Sequence, residues 1–265
     1  MQHIPRKRFG QHFLHERGVI TRIVDELQLE LNDHVVEIGP GLGALTDYLL
    51  PRLKQLRVVE LDRDLVKRLR ERYPDKNLIV HEGDALKFDF SIFEAPLRLV
   101  GNLPYNISTP LLFHFATFRE QLRDGHFMLQ REVVDRMIAA PSTPAYGRLS
   151  VSLQLEFAME SLFRIGPGAF TPPPKVESAI VRMIPLAGNF YDLNDRATFN
   201  TIVSRAFTQR RKTLRNSLRD FLTPDDFVAL AIDPIARAEN LGVTDYVKIS
   251  NYIALRGITR AALQA

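Results

Sequence analysis

Four consecutive residues, Asn102-Leu103-Pro104-Tyr105, form the most chemically specific stretch of the chain. They follow an apolar run, residues 97–100, that reads as a buried strand. Proline cannot extend that strand into a sheet, so the chain must leave it there. The loop then offers an amide side chain, the carbonyls of Leu103 or Pro104, and a flat ring. That set suits a planar molecule with an exocyclic amine, such as adenine. The reading adopted is that adenine is the acceptor and that the upstream chain presents a methyl donor to it.

Three further positions support this. Residues 34–38 read as a short strand running into Gly39-Pro40-Gly41-Leu42-Gly43-Ala44 and an amphipathic helix with Leu45, Tyr48, Leu49 and Leu53. A glycine-rich turn between strand and helix is the nucleotide-binding corner of a doubly wound sheet, where glycine lets the backbone approach a ligand. Glu60 ends the next apolar run, at the ~20-residue interval expected of an acid that grips a ribose diol. A third strand, 78–81, leads to Asp84. Open α/β sheets bind ligands beyond the carboxyl ends of their strands, so Gly39, Glu60, Asp84 and Asn102 are expected on one rim. The pattern Gly39-x-Gly41-x-x-Ala44 also satisfies the dinucleotide fingerprint, but an NAD enzyme has no evident need for the Asn102–Tyr105 loop.

The elements that must carry these residues are legible from periodicity. Val19, Ile20, Ile23, Val24 and Leu27 fall at helical spacing. Ser108-Thr109-Pro110 is a helix start, followed by Leu111, Leu112 and Phe115. Strands are predicted at 125–129, 161–165 and 179–184, and helices at 132–139 and 149–157. Between the last two strands lies Gly168-Ala169-Phe170-Thr171-Pro172-Pro173-Pro174-Lys175-Val176-Glu177-Ser178. Its prolines make a stiff, extended segment, expected to hold Phe170 at the pocket mouth, over the substrate base. After a linker at 185–189 the pattern turns helical, with breaks at Thr223-Pro224 and Asp233-Pro234. The expected architecture is α/β, a Rossmann-like sheet with helices on both faces over residues 1–186, plus a smaller all-α domain over 187–265.

A chain of 265 residues, 45% hydrophobic and 25% charged, can bury a real core. Its formal net charge is only +4, but the excess is concentrated. Between Asp195 and Asp220 there is no acidic residue, while Arg196, Arg205, Arg210, Arg211, Lys212, Arg215 and Arg219 occur there. Arg211, Arg215 and Arg219 recur every fourth residue beside Phe207, Leu214, Leu218 and Phe221, which predicts one helix with a core face and a cationic face. Solvated surfaces mix signs, so this face is assigned to a polyanion. Arg6, Lys7 and Arg8 are read as a phosphate-contacting arm that tucks Phe9, Phe13 and Leu14 onto the body. The expected RNA contacts are thus Arg6, Lys7, Arg8, Arg210, Arg211, Lys212 and Arg215. The absence of cysteine excludes disulfides, thiolate metal sites and thiol catalysis. No apolar stretch follows the basic N-terminus and none is long enough to span a bilayer, so a cytoplasmic protein without membrane contact is expected.

Gln11-His12-Phe13-Leu14, Glu37 to Thr46, Gly101 to Pro110, Phe170 to Ser178, and Phe207 with Gln209 to Asn216 together resemble the rRNA adenine N6-dimethyltransferase family, nearest its bacterial small-subunit (16S) branch. The resemblance covers nearly the whole chain. It implies a class I methyltransferase fold, S-adenosyl-L-methionine as donor with S-adenosyl-L-homocysteine as product, and no metal. It implies N6-dimethylation of two adjacent adenosines near the 3′ end of 16S rRNA, in the small subunit, during ribosome biogenesis. It places donor binding at His12, Leu14, Gly39, Glu60, Asp84 and Asn102; the residues themselves add Gly41 and Ala85 to the donor side and put acceptor chemistry at Asn102, Leu103, Pro104, Tyr105 and Phe170. A monomer is expected. Two competing readings share much of this layout: a large-subunit rRNA adenine methyltransferase of the antibiotic-resistance type, and a non-catalytic ribosome-assembly factor. A DNA adenine methyltransferase ranks lower, because the helical region offers no clear groove-reading helix.

Overall fold

The computed structural model describes residues 12–73, 77–209 and 211–256 of the chain. The described residues group into two compact units, one from those of 12–134 and 158–185, the other from those of 135–157 and 186–256. The sequence reading divided the chain once, after residue 186. The structure also groups Asp135–Phe157 with the helical part.

Among the described residues the first unit is built on nine strands: β1 (Phe13–Leu14), β2 (His34–Ile38), β3 (Leu56–Glu60), β4 (Leu78–Glu82), β5 (Leu97–Asn102), β6 (Leu122–Gln130), β7 (Phe157–Ile165), β8 (Phe170–Thr171) and β9 (Ser178–Pro185). Seven form one sheet in the order β4-β3-β2-β5-β6-β9-β7, and β1 pairs with β8 in a separate two-stranded ladder. β2 to β6 run parallel, whereas β9 pairs antiparallel to β6. The chain moves outward from β2 to β3 and β4, then returns to the other side of β2 as β5. That reversal opens a crevice beyond the carboxyl ends of β2 and β5, the usual ligand position in such sheets. β2 is apolar on both faces, with Val35, Val36 and Ile38 all at most 2% exposed, as a central parallel strand requires.

Helices α1 (Arg17–Glu26), α2 (Thr46–Leu49), α3 (Arg63–Arg72) and α4 (Ser108–Ala116) complete this unit. α1 starts where the Glu16 carboxylate caps the N–H groups of Gly18 and Val19, and it buries Ile20, Ile23 and Val24. Those residues join Val35, Leu49, Leu56, Val58 and Ile180 in one core cluster. Each such side chain contributes roughly 1.5–3 kcal/mol when fully buried.

The chain passes through α5 (Arg131–Met137) into the second unit, which holds α6 (Arg148–Gln154), α7 (Arg196–Thr208), α8 (Leu214–Ser217), α9 (Pro224–Ala229) and α10 (Val243–Leu255). Phe199, Val203, Leu214, Leu218, Phe227 and Tyr246 share its core. The phenols of Tyr146 and Tyr246 donate to the carbonyls of Leu241 and Ala238, so neither buried hydroxyl is left unsatisfied.

The single cationic helix expected around Arg211–Arg219 does not form. α7 ends at Thr208, and between it and Asp220 only the four residues of α8 are helical among the described residues. Thr213 is extended and bridges to Arg237, while the N–H groups of Leu214 and Arg215 donate to Ala236 and Pro234 carbonyls. Those carbonyls replace the helical acceptors. Arg211, Lys212, Arg215 and Arg219 are nonetheless exposed, and Leu214, Leu218 and Phe221 buried. Arg6, Lys7, Arg8, Phe9 and Arg210 lie outside the described residues.

Candidate active site

A cavity of about 940 Å³ lies at the carboxyl ends of β2 to β5, within the first unit. Its lining includes His12, Leu14, Gly39, Gly41, Glu60, Asp84, Ala85, Asn102, Leu103, Pro104 and Tyr105. The structure therefore brings together every expected donor-binding residue and four of the five expected acceptor residues.

The fifth, Phe170, is elsewhere. It is 2% exposed, packed in the core with Leu14 and Ile180, and absent from the cavity lining. Its register partner in the β1–β8 ladder is Leu14, and Thr171, one residue on, faces Phe13. Alternation along β8 sends Phe170 inward and leaves Thr171 on the cavity side. The proline segment serves the site through other residues. The Pro172 carbonyl contacts His12 Nδ1 at 2.7 Å. Ser178 Oγ lies 2.6 Å from the Tyr105 hydroxyl. These two contacts link residues 160 and 73 positions apart, and no local pattern announces them.

His12 ties the site together. Its ring stacks on Tyr105 with centroids 5.6 Å apart and planes 26° apart. Its carbonyl accepts from Asn102 Nδ2 at 2.9 Å. With its nitrogen engaged in this way, the Asn102 amide keeps Oδ1 as an acceptor, and among the described residues no donor meets it. The loop carbonyls differ. Pro104 O already accepts from Ile107 N–H at 3.1 Å, whereas among the described residues none donates to Leu103 O. Of the two carbonyls left open by the sequence, Leu103 O is the one that carries no internal hydrogen bond among the described residues.

On the donor side, Gly41 has φ +60°, and a Cβ there would sit 3.1 Å from the Phe13 ring. Only glycine satisfies both conditions at once. The Gly41 N–H points to Glu60 Oε2 at 3.2 Å, and Asp62 N–H to Oε1 at 2.9 Å. Glu60 is 7% exposed. Burial pushes its carboxyl up from the ordinary range, opposed by those backbone N–H groups. Asp84 accepts from Leu86 N–H at 3.0 Å through Oδ1. Glu37, which the sequence reading did not assign to the site, also lines the cavity. It is 1% exposed and accepts from the Thr46 hydroxyl at 2.6 Å. Burial, reinforced by the Glu60 and Asp47 charges, pushes its carboxyl up to about 8. Its signal was available: an acid inside an otherwise apolar strand, one turn before a glycine corner.

In the second unit, Arg205 and Arg219 are both paired with Asp220. Among the described residues, Arg211, Lys212 and Arg215 have no carboxylate partner.

The chain matches the protein family described as Ribosomal RNA adenine dimethylase over residues 2–255. A protein of Nitrosospira multiformis named Ribosomal RNA small subunit methyltransferase A is 60% identical over 252 residues, covering 95% of this chain and 97% of the relative. One of the same name from Thiobacillus denitrificans is 57% identical, covering 96% and 100%. Among solved structures, a dimethyladenosine transferase from Plasmodium falciparum superposes with TM-score 0.82 at 27% identity, covering 93% of this chain and 99% of that one. The 23S rRNA methyltransferase ErmE gives TM-score 0.69 at 25% identity, covering 91% and 99%.

Proposed function

The chain belongs to the ribosomal RNA adenine dimethylase family, and from that premise we propose that it dimethylates N6 of two adjacent adenosines near the 3′ end of 16S rRNA in the small subunit. The donor is S-adenosyl-L-methionine, which when bound supplies a methyl group activated on a sulfonium. The observation that carries the reading is the Asn102 amide, held by its nitrogen on His12 O with Oδ1 left to accept, beside the open Leu103 carbonyl.

The cavity residues fit that donor. The backbone of Gly39 and Gly41, both at positive φ, gives room for its amino-acid end. Glu60 would hold the ribose hydroxyls through lone pairs not used by Gly41 and Asp62, and Asp84 with the Ala85 N–H would hold the adenine end. On the acceptor side the nitrogen is a poor nucleophile, because its lone pair is delocalised into the purine. Asn102 Oδ1 and Leu103 O accept the two N–H bonds and turn that lone pair out of the ring plane. Tyr105, fixed by Ser178 and by His12 on one face, offers its other face to the base, a stack worth roughly 1–3 kcal/mol. The base must leave its own stack to reach the loop. Alignment of the two reactants then supplies much of the rate, and no side chain need act as a strong base. After the transfer the proton leaves a cationic, methylated nitrogen that is acidic enough to release it to water.

Arg211, Lys212 and Arg215 are the RNA-contacting cations of the second unit, and the protein acts as a cytoplasmic monomer. The small-subunit substrate is favoured over the large-subunit one by the names of the relatives at 57% and 60% identity. Incubating unmethylated 30S and 50S subunits separately with labelled donor, then mapping the modified nucleotides, tests this. Label on two adjacent adenosines of 16S rRNA is expected, and label confined to 23S rRNA or no incorporation contradicts the proposal.

A further inference from the structure

The glycine turn is gripped from outside the cavity by three side chains that the proposed reaction does not use. Asp47 lies in the first turn of α2, Arg72 ends α3, and Tyr73 follows it. The Tyr73 hydroxyl donates to Asp47 Oδ1, and Arg72 Nη2 donates to Asp47 Oδ2. Arg72 Nη1 also donates to the Leu42 carbonyl at 2.8 Å. Leu42 lines the cavity, whereas Asp47, Arg72 and Tyr73 do not. Gly43 has φ +88°, and a Cβ there would meet the Tyr73 hydroxyl at 2.6 Å. The absence of a side chain at 43 and the presence of the phenol are therefore one arrangement.

As a surface ion pair, Arg72–Asp47 would contribute little, since the two side chains are 51% and 37% exposed. Its geometry matters more than its charge. One guanidinium spans a carboxylate and a main-chain carbonyl of the turn, and the phenol fills the space under Gly43. At the other end of the same β3–α3 unit, Glu60 takes the Gly41 N–H. The turn is thus held at 41 by the start of that unit and at 42–43 by its end.

We propose that Asp47, Arg72 and Tyr73 are positioning residues for the methyl donor, holding Leu42 and Gly43 so that the turn keeps the shape that admits the donor's amino-acid end. This rests on reading the cavity as the S-adenosylmethionine site. The test is calorimetric titration of the full chain with S-adenosylhomocysteine, alongside steady-state kinetics on 30S subunits. Tyr73→Phe removes one hydrogen bond, and Arg72→Lys removes the fork that reaches both Asp47 and Leu42. Each should weaken binding by about 3–10-fold, raise the donor KM in parallel, and leave kcat and 30S affinity within about 2-fold. Gly43→Ala should weaken binding more in the wild-type background than in Tyr73→Phe, where the obstructing hydroxyl is gone. Wild-type binding with unshifted Tyr73→Phe and Arg72→Lys overturns the proposal. So does a loss shared equally by kcat, 30S affinity and donor affinity, or an equal cost of Gly43→Ala in both backgrounds. Failure of the wild type to bind at all overturns the donor reading itself.

Discussion

Strand β5 carries two polar residues four positions apart, one buried and one part-buried, and they are treated in opposite ways. Arg98, at its start, is 4% exposed and fully engaged. It donates to both oxygens of Asp124 at 3.0 and 2.7 Å, to Asp33 at 2.7 Å, and to the Leu27 carbonyl at 2.5 Å. Asn102, at its end, lines the cavity, uses its nitrogen on His12 O and has an oxygen that no donor meets among the described residues. Each guanidinium nitrogen of Arg98 has an internal acceptor, so its donors are spent within the protein. Around Asn102 the structure holds groups in place without satisfying them. A saturated buried charge is architecture, whereas a fixed polar group with an open lone pair is ready for a substrate. The same contrast recurs in the second unit, where Arg205 and Arg219 are matched by Asp220 but Arg211, Lys212 and Arg215 meet no acid among the described residues.

The comparison can be broken at either end. Arg98→Met should destabilise the protein by ~3–5 kcal/mol, the range for stranding the partners of a buried ion pair. Urea unfolding should show this while kcat of the folded enzyme stays near wild type, and a large fall in kcat at unchanged stability would reverse the assignment. Asn102→Ala should do the opposite. It should lower kcat about 10²–10³-fold, as for loss of one preorganised transition-state contact, with donor affinity by calorimetry and the urea midpoint almost unchanged. Arg211→Glu with Arg215→Glu should weaken 30S binding and flatten its salt dependence by about two in slope. An unchanged slope in filter binding would make these cations ordinary solvated surface.

Smaller effects sharpen the picture. Ser178→Ala frees the Tyr105 phenol and should cost about 1 kcal/mol, roughly fivefold in kcat/KM for 30S, with donor KM held. Glu37→Gln tests the buried acid. The folded-state carboxyl, pushed up to about 8 by burial, is protonated where the unfolded one, near the ordinary value of about 4.3, is already ionised. Stability is therefore lost as pH rises between those two values, and the loss is complete above about 8. The Gln variant should melt a few degrees higher at pH 9 and equally at pH 4, in donor-free scans. A gain that does not grow with pH would remove burial of the charge as its cause.

Much of this is legible in the amino-acid sequence alone. The strand ends at Gly39, Glu60, Asp84 and Asn102 were readable because parallel strands are short apolar runs, broken by glycine, acid or amide where the rim begins. What escaped was set by contacts distant in sequence. A stiff proline segment beside an aromatic predicts Phe170 at the pocket mouth. Pairing with Leu14 turns it inward instead, and the segment acts through Pro172 O and Ser178. The basic stretch has helical spacing from Arg211 to Arg219, but pairing with residues 234–237 interrupts the helix. Asp47, Arg72 and Tyr73 left no trace in periodicity, since the first lies 25 and 26 residues from the other two.

The most direct measurement is a crystal structure with S-adenosylhomocysteine and adenosine, or a short RNA carrying the target, bound together. N6 of the acceptor base should lie about 2.7–3.2 Å from both Asn102 Oδ1 and Leu103 O, with the ring on the free face of Tyr105 and N6 pointing at the donor sulfur. A base lodged away from that loop, or an Asn102 amide that has turned its nitrogen toward N6, would contradict the account.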